Sequence, residues 1–229
     1  MKSKCETCKI RELNQLKVLC LHDLMKFTSE KDYNSYRKGE VIFNEGDRLS
    51  GVFCVHSGVI KLSKLSSNGK TQIVKLVKPG DLLGQRSVIS GENVNLTAKA
   101  LTSVEGCFFP RELIMKTIHE NSDFAFETLK CIAFDLKEAD DEIVKISHKT
   151  VKQRLVEIFL YIRDKFGMDQ AGYLDLVLSR KDYANMVGSS VESTIRTLSE
   201  LKDEGIIKTS GKRIGIQNVG KARNILNGY

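Results

Sequence analysis

Short apolar runs broken by glycine fill the chain from Tyr36 to about Phe109: EVIFNEGD, SGVFCVHSGVIKLSKL and KTQIVKLVKPGDLLG. Their residues are β-branched and aromatic, and Gly39, Gly46, Gly58, Gly69, Gly80, Gly84 and Gly91 punctuate them. That pattern predicts many short strands, with a hairpin turn at Asn68-Gly69. Such strands fold as a sandwich or a barrel-like roll. From about Asp123 the period changes. Leu129, Ile132, Leu136, Ala139, Ile143 and Ile146 recur at steps of three, four, three, four and three, which is a heptad seam. The stripe is narrow, which favours a partner helix over the helix's own domain. These six residues are the candidate dimer interface.

Beyond Thr150, VKQRLVEIFLYIRDKFG predicts a helix that Gly167 stops. Ser179 is positioned to cap a short helix over 181–187, and Gly188-Ser189-Ser190 makes a tight turn. A second helix over 191–204 carries Val191, Ile195, Leu198 and Leu201 as its apolar side, with Glu192, Ser193, Arg196 and Ser199 opposite. Gly205 ends it, and GIIKTSGKRIGI predicts a two-strand wing turning at Ser210-Gly211. Helix, glycine turn, helix and wing is the arrangement that reads duplex DNA. Arg196 can donate two hydrogen bonds to guanine, and Glu192 can accept one from a cytosine amino group. Val191 shares the leading turn of that helix. Ser190 and Ser193 can bond bases or phosphates. Lys181, Lys212 and Arg213 can hold phosphates, which sets register rather than sequence. The competing reading is a helical hairpin in an ordinary core. The exposed Glu-Ser-Arg stripe and the basic wing count against it.

Charge adds weight. The net charge is +7 and uneven. From Asp123 to Lys145 there are seven acids and three bases; from Ser147 to Tyr229, fourteen bases and nine acids. A basic last third points to an anionic partner, double-stranded DNA first. With 229 residues, 41% hydrophobic and 28% charged, the chain can bury real cores. No apolar run approaches the roughly 20 residues of a membrane span, and no apolar leader with a small-residue cleavage site opens the chain. A cytoplasmic protein is expected, with no membrane partner. There cysteines serve as thiols or as metal and cluster ligands more often than in disulfides. Three of the six, Cys5, Cys8 and Cys20, crowd into 4–20, ahead of any segment with core periodicity. Taken alone, Cys5 and Cys8 are reactive thiols or half a zinc site. Cys107 can be a small buried hydrophobe. Cys54 alternates with Val52 and His56 and reads as packing, as does Cys131. No nucleotide-binding loop, nucleophile elbow or zinc-protease motif is present, so an enzyme is not expected.

Taken in order, KGEVIFNEGD, SGVIKL, PGDLLG and SRKDYANMVGSSVESTIRTLSELKDEGII resemble the Crp/Fnr family of bacterial transcription regulators along nearly the whole chain. The resemblance implies an α+β fold: an antiparallel, jelly-roll-like β-roll, a long dimerisation helix and a winged helix-turn-helix. It divides the chain into a cysteine-containing arm (1–28), a cyclic-nucleotide-binding-like sensor roll (29–121), the dimerisation helix (122–147) and the DNA-binding domain (148–229). It also implies a homodimer on palindromic promoter DNA, in contact with RNA polymerase. In the Fnr-like branch a roll loop, here 66–70, touches polymerase, but Lys70 stands where the family pattern has an acid. Cyclic-nucleotide-binding relatives hold the ribose with a Gly-Glu pair and the phosphate with an arginine about ten residues on. Here the pair is Gly84-Gln85, and 91–97 has no arginine. That argues against cyclic AMP, because a buried phosphate would lack its charged partner. The oxygen-sensing branch holds an iron–sulfur cluster on three N-terminal cysteines and one three residues before a proline. Cys107 precedes Pro110 by three, so resemblance makes Cys5, Cys8, Cys20 and Cys107 candidate cofactor ligands for the iron of a [4Fe–4S] cluster. The spacing departs: eleven residues separate Cys8 from Cys20, against about five in that branch. A cyclic-nucleotide, haem or nitric-oxide regulator, or a ligand-independent one, is the alternative within the same family.

Overall fold

The computed structural model describes residues 4–67 and 69–227; within one helix the side chains of 145–147 are not described. The chain forms two compact units, the first reaching Leu65 and including Ile73–Lys137, the second comprising Ser66–Gln72 and Glu138–Tyr229.

The first unit is built on two four-stranded sheets. One orders β1 (Asp32–Tyr36), β8 (Val104–Pro110), β3 (Gly51–Ser57) and β6 (Leu82–Leu83); the other orders β2 (Val41–Phe43), β7 (Thr97–Ala100), β4 (Ile60–Leu65) and β5 (Thr71–Val77). β4 and β5 neighbour each other across the expected hairpin, whose Asn68 lies outside the described residues. Strand β3 is buried through Val55 on both faces. Phe53, Val55 and, on β8, Val104 face the second sheet, where Ile60 and Ala98 complete an apolar core. Val52 and Cys54 face the other way, into a core with Cys107, Phe109, Leu113 and Phe124.

That outer core reaches into the N-terminal segment. Three short 3-10 turns, Cys5–Thr7, Lys9–Leu13 and Gln15–Val18, precede helix α1 (Leu21–Glu30). Leu16, Leu19, Leu24 and Phe27 bury against the sheet. Each fully buried side chain of this kind contributes about 1.5–3 kcal/mol, so the segment is part of the fold and not a loose arm. Gly80 permits the approach: a Cβ there would stand 2.6 Å from that of Leu13. The short helices α2 (Gln85–Ser90) and α3 (Arg111–Glu120) complete the unit before the 27-residue α4 (Ser122–His148).

In the second unit, α5 (Val151–Phe166) starts on a Thr150–Gln153 capping box. It packs with α6 (Arg180–Val187) and α7 (Val191–Asp203), followed by the paired strands β9 (Ile207–Ser210) and β10 (Arg213–Ile216) and by α8 (Val219–Leu226). Phe159 meets Tyr183 edge to face at 5.5 Å in the core of this unit.

Candidate functional site

The helix pair in the second unit is set by its caps. Ser179 and Asp182 form a capping box at the start of α6. Gly188 ends α6 at φ +65°, a left-handed conformation that glycine adopts without strain. Ser190 then caps α7, its Oγ accepting from the Ser193 N–H at 3.1 Å.

The face α7 buries differs from the expected one. Leu198 and Leu201 are buried as predicted, but Thr194 and Thr197 bury beside them, while Ile195 is 46% exposed. The two threonines can go inside because their hydroxyls donate back to the Ser190 and Ser193 carbonyls, at 2.9 and 3.0 Å. The helix is thus rotated from its apolar-count orientation. Glu192, Ile195, Arg196 and Ser199 form the exposed face, with Val191 and Ser193 half-buried at its edge. Arg196 is held only by an exposed 3.9 Å pair with Glu200. Lys181 and Lys212 are exposed. Arg213 ties the wing to the segment between α5 and α6: it pairs with Asp169 and lies 4.2 Å from the Tyr173 ring centroid. Backbone hydrogen bonding from Tyr173, then the Arg213 guanidinium, holds the Asp169 carboxyl below its usual range. Arg180, not singled out in the sequence, donates to the Gly211 carbonyl at the wing turn at 3.1 Å.

On α4, Leu129, Leu136, Ala139 and Ile143 are exposed and Ile132 is half-buried. The side chain of Ile146 lies outside the described residues. Exposed Phe126 and Phe134 widen the apolar surface beyond the predicted stripe.

In the first unit, four cysteines line one pocket, and they are not the four expected. Cys5, Cys8, Cys54 and Cys107 surround it, with Lys31, Arg11 and His56. β3 and β8 pair with Cys54 opposite Cys107, so both side chains leave the same face of the sheet. The Cys5 N–H donates to Thr28 Oγ1 at 2.8 Å, fixing the arm over them. Cys20 does not join. It is the exposed N-cap of α1, and its thiol donates to Asp23 Oδ2 at 3.4 Å. Leu16 and Leu19, both buried, hold the intervening chain down; drawing Cys20 inward would expose them at about 1.5–3 kcal/mol each.

The electrostatics are those of buried thiols around a cation. Burial pushes the Cys54 thiol well up, and the Cys107, Cys8 and Cys5 sulfurs add to it. Burial also raises Cys107, against the opposing Lys31 ammonium. Lys31 donates to Cys5 Sγ at 3.4 Å. Burial alone would lower its pKa, but Cys107 and Cys5 outweigh that and raise it. The void is about 20 Å³, room for about one water molecule. Among the described residues no three Cys, His, Asp or Glu side chains converge as metal ligands. In kind, however, the donors suit a thiolate-held iron centre: four sulfurs, flanking cations, and the buried His56 Nδ1 that lacks a hydrogen-bond partner. Gln85, where relatives hold a ribose, is occupied by the arm: Gln15 Nε2 donates to its Oε1 at 2.8 Å.

The chain matches two family models, the cyclic nucleotide-binding domain over residues 33–121 and the Crp-like helix-turn-helix domain over residues 153–222. It is 26% identical to the fumarate nitrate reduction regulatory protein of Klebsiella oxytoca, across 96% of this chain and 92% of that one. It is 23% identical to the regulatory protein HlyX of Actinobacillus pleuropneumoniae, across 94% and 90%. Among solved structures, FixK2 of Bradyrhizobium japonicum superposes with a TM-score of 0.76 at 28% identity, covering 85% of this chain and 96% of its own. A regulator from Eubacterium rectale does so with 0.78 at 19% identity, covering 93% and 97%.

Proposed function

The chain belongs to the Crp/Fnr family of DNA-binding transcription regulators, and we propose that it grips palindromic promoter sites as a homodimer and answers to an oxidant through its cysteine pocket. The observation that carries the DNA part is the exposed Glu192–Ile195–Arg196 face of α7 beside an exposed Lys181 and Lys212. Arg196 reads guanine, Glu192 accepts a hydrogen bond from a cytosine amino group, and Ile195 packs on a thymine methyl. Ser190 and Ser193 lie at the helix N-terminus, where a phosphate oxygen is favoured. Arg213, beside its contacts to Asp169 and Tyr173, keeps an exposed edge with which it would hold a phosphate.

Two copies related by a two-fold axis would pair their α4 helices along Leu129, Ile132, Leu136, Ala139, Ile143 and Ile146. RNA polymerase is the partner that the family role implies once DNA is bound.

The redox part rests on the pocket and on what its arm touches. The sulfurs of that pocket would hold an iron–sulfur cluster, which when bound would supply an oxidant-labile centre. Lys31 and Arg11 would offset thiolate charge. The arm is tied to α4 at three points. Lys17 pairs with Glu127 at 2.9 Å; the Cys131 thiol donates to Gln15 Oε1 at 3.7 Å; Phe27 links Phe109 and Phe124 edge to face. Reordering the arm would therefore change the packing at the start of the dimerisation helix, while Asp140 and Asp141 beside the seam oppose pairing.

Selection of duplexes from a random pool by the anaerobically purified chain tests the proposal. The expected product is a two-fold symmetric site with half-site centres about one helical turn apart, retained without air and lost with it. An asymmetric site would refute the homodimer, and binding indifferent to air would refute the redox part.

A further inference from the structure

We infer that Cys54, on strand β3, takes the place of Cys20 as the fourth thiolate around the iron centre. This rests on the reading that the pocket holds such a centre. Three observations carry it. The strand register sets Cys54 opposite Cys107, so the sheet alone presents two sulfurs on one face. The arm supplies the other two from a single 3-10 turn, in which the Cys8 N–H reaches the Cys5 carbonyl at 3.3 Å. With five residues between it and Cys8, where a third arm cysteine would fit the closer spacing, stands Asn14. It is buried, and its amide donates to Cys54 Sγ at 3.5 Å and to the Gly80 carbonyl at 3.0 Å. The arm position that lacks a thiol is thus docked on the strand that has one.

Cys20 is placed against this role: it is exposed at the N-cap of α1, and its thiol donates to Asp23 Oδ2. The water-sized void requires the arm to open around a guest.

The test is anaerobic reconstitution of the full chain with ferrous iron and sulfide. Bound iron, bound sulfide and the visible spectrum are read for the native chain, Cys20→Ala and Cys54→Ala. Circular dichroism checks each fold. As a second measurement, the loaded native chain is alkylated and its modified thiols mapped. The inference expects Cys20→Ala to load like the native chain and Cys54→Ala to lose iron and sulfide. It also expects Cys20 to be alkylated while Cys5, Cys8, Cys54 and Cys107 are protected. Loss in Cys20→Ala with loading kept in Cys54→Ala, or an alkylated Cys54, overturns this inference and leaves the iron reading standing. A native chain that takes up neither iron nor sulfide overturns both.

Discussion

At the scale of single residues, two threonines decide which face α7 exposes. Thr194 and Thr197 satisfy their hydroxyls on the preceding turn and so can be buried, which turns Ile195 outward beside Arg196. Arg196→Ala should weaken specific binding by about 1–3 kcal/mol and relax one base position, read by competition between site variants. Arg213→Ala should behave differently. It removes the partner of Asp169, so thermal melting should show a less stable unit while base preference stays unchanged. Tyr183 offers a check on burial. It is 1% exposed, and desolvation raises its phenol pKa, with Arg180 opposing and Asp182 adding. The unfolded chain then ionises first as pH passes the ordinary tyrosine value near 10. Stability held below that pH is lost above it. Urea melts across pH 8–11 should show a shallower alkaline loss in Tyr183→Phe.

At the scale of elements, α4 is the one that the proposal makes the link between signal and assembly. Its exposed Leu136 belongs to the predicted seam and contributes little to the chain's own core. Leu136→Glu should leave the circular dichroism spectrum unchanged and shift sedimentation toward monomer, since charge at a seam position opposes pairing. Asp141→Ala should strengthen the dimer of the iron-free chain; an unchanged monomer–dimer equilibrium would remove like-charge repulsion from the account. The arm, by contrast, was expected to precede the core and instead forms part of it. Its apolar residues show no clean period because 3-10 turns bury them irregularly: Cys5 in one turn, Leu16 in another, Leu19 between turn and helix.

At the scale of the whole molecule, the basic last third should make DNA binding strongly salt-dependent. Lys181→Gln and Lys212→Gln should each lower the slope of log K against log salt by about one while leaving base preference intact. Among the described residues no helix is long and apolar enough to cross a membrane.

The strands, the long helix α4, the glycine turn between α6 and α7 and the wing were legible in the sequence, because each follows from local periodicity and turn chemistry. Cys107 was legible by its distance from Pro110. Cys5 and Cys8 were expected beside it by resemblance; Cys54 was not. A strand cysteine that looks like packing along its own strand becomes a neighbour of Cys107 only through the β3–β8 register, and of Cys5 and Cys8 only when the arm folds over the sheet. Cys20 looked equivalent to its arm companions until the buried Leu16 and Leu19 fixed it outside. Local pattern therefore determined which elements this chain makes and what kind of protein it is. Which thiols share a pocket, and which side of α7 faces out, were decided by the tertiary structure, because both depend on contacts between residues far apart in sequence.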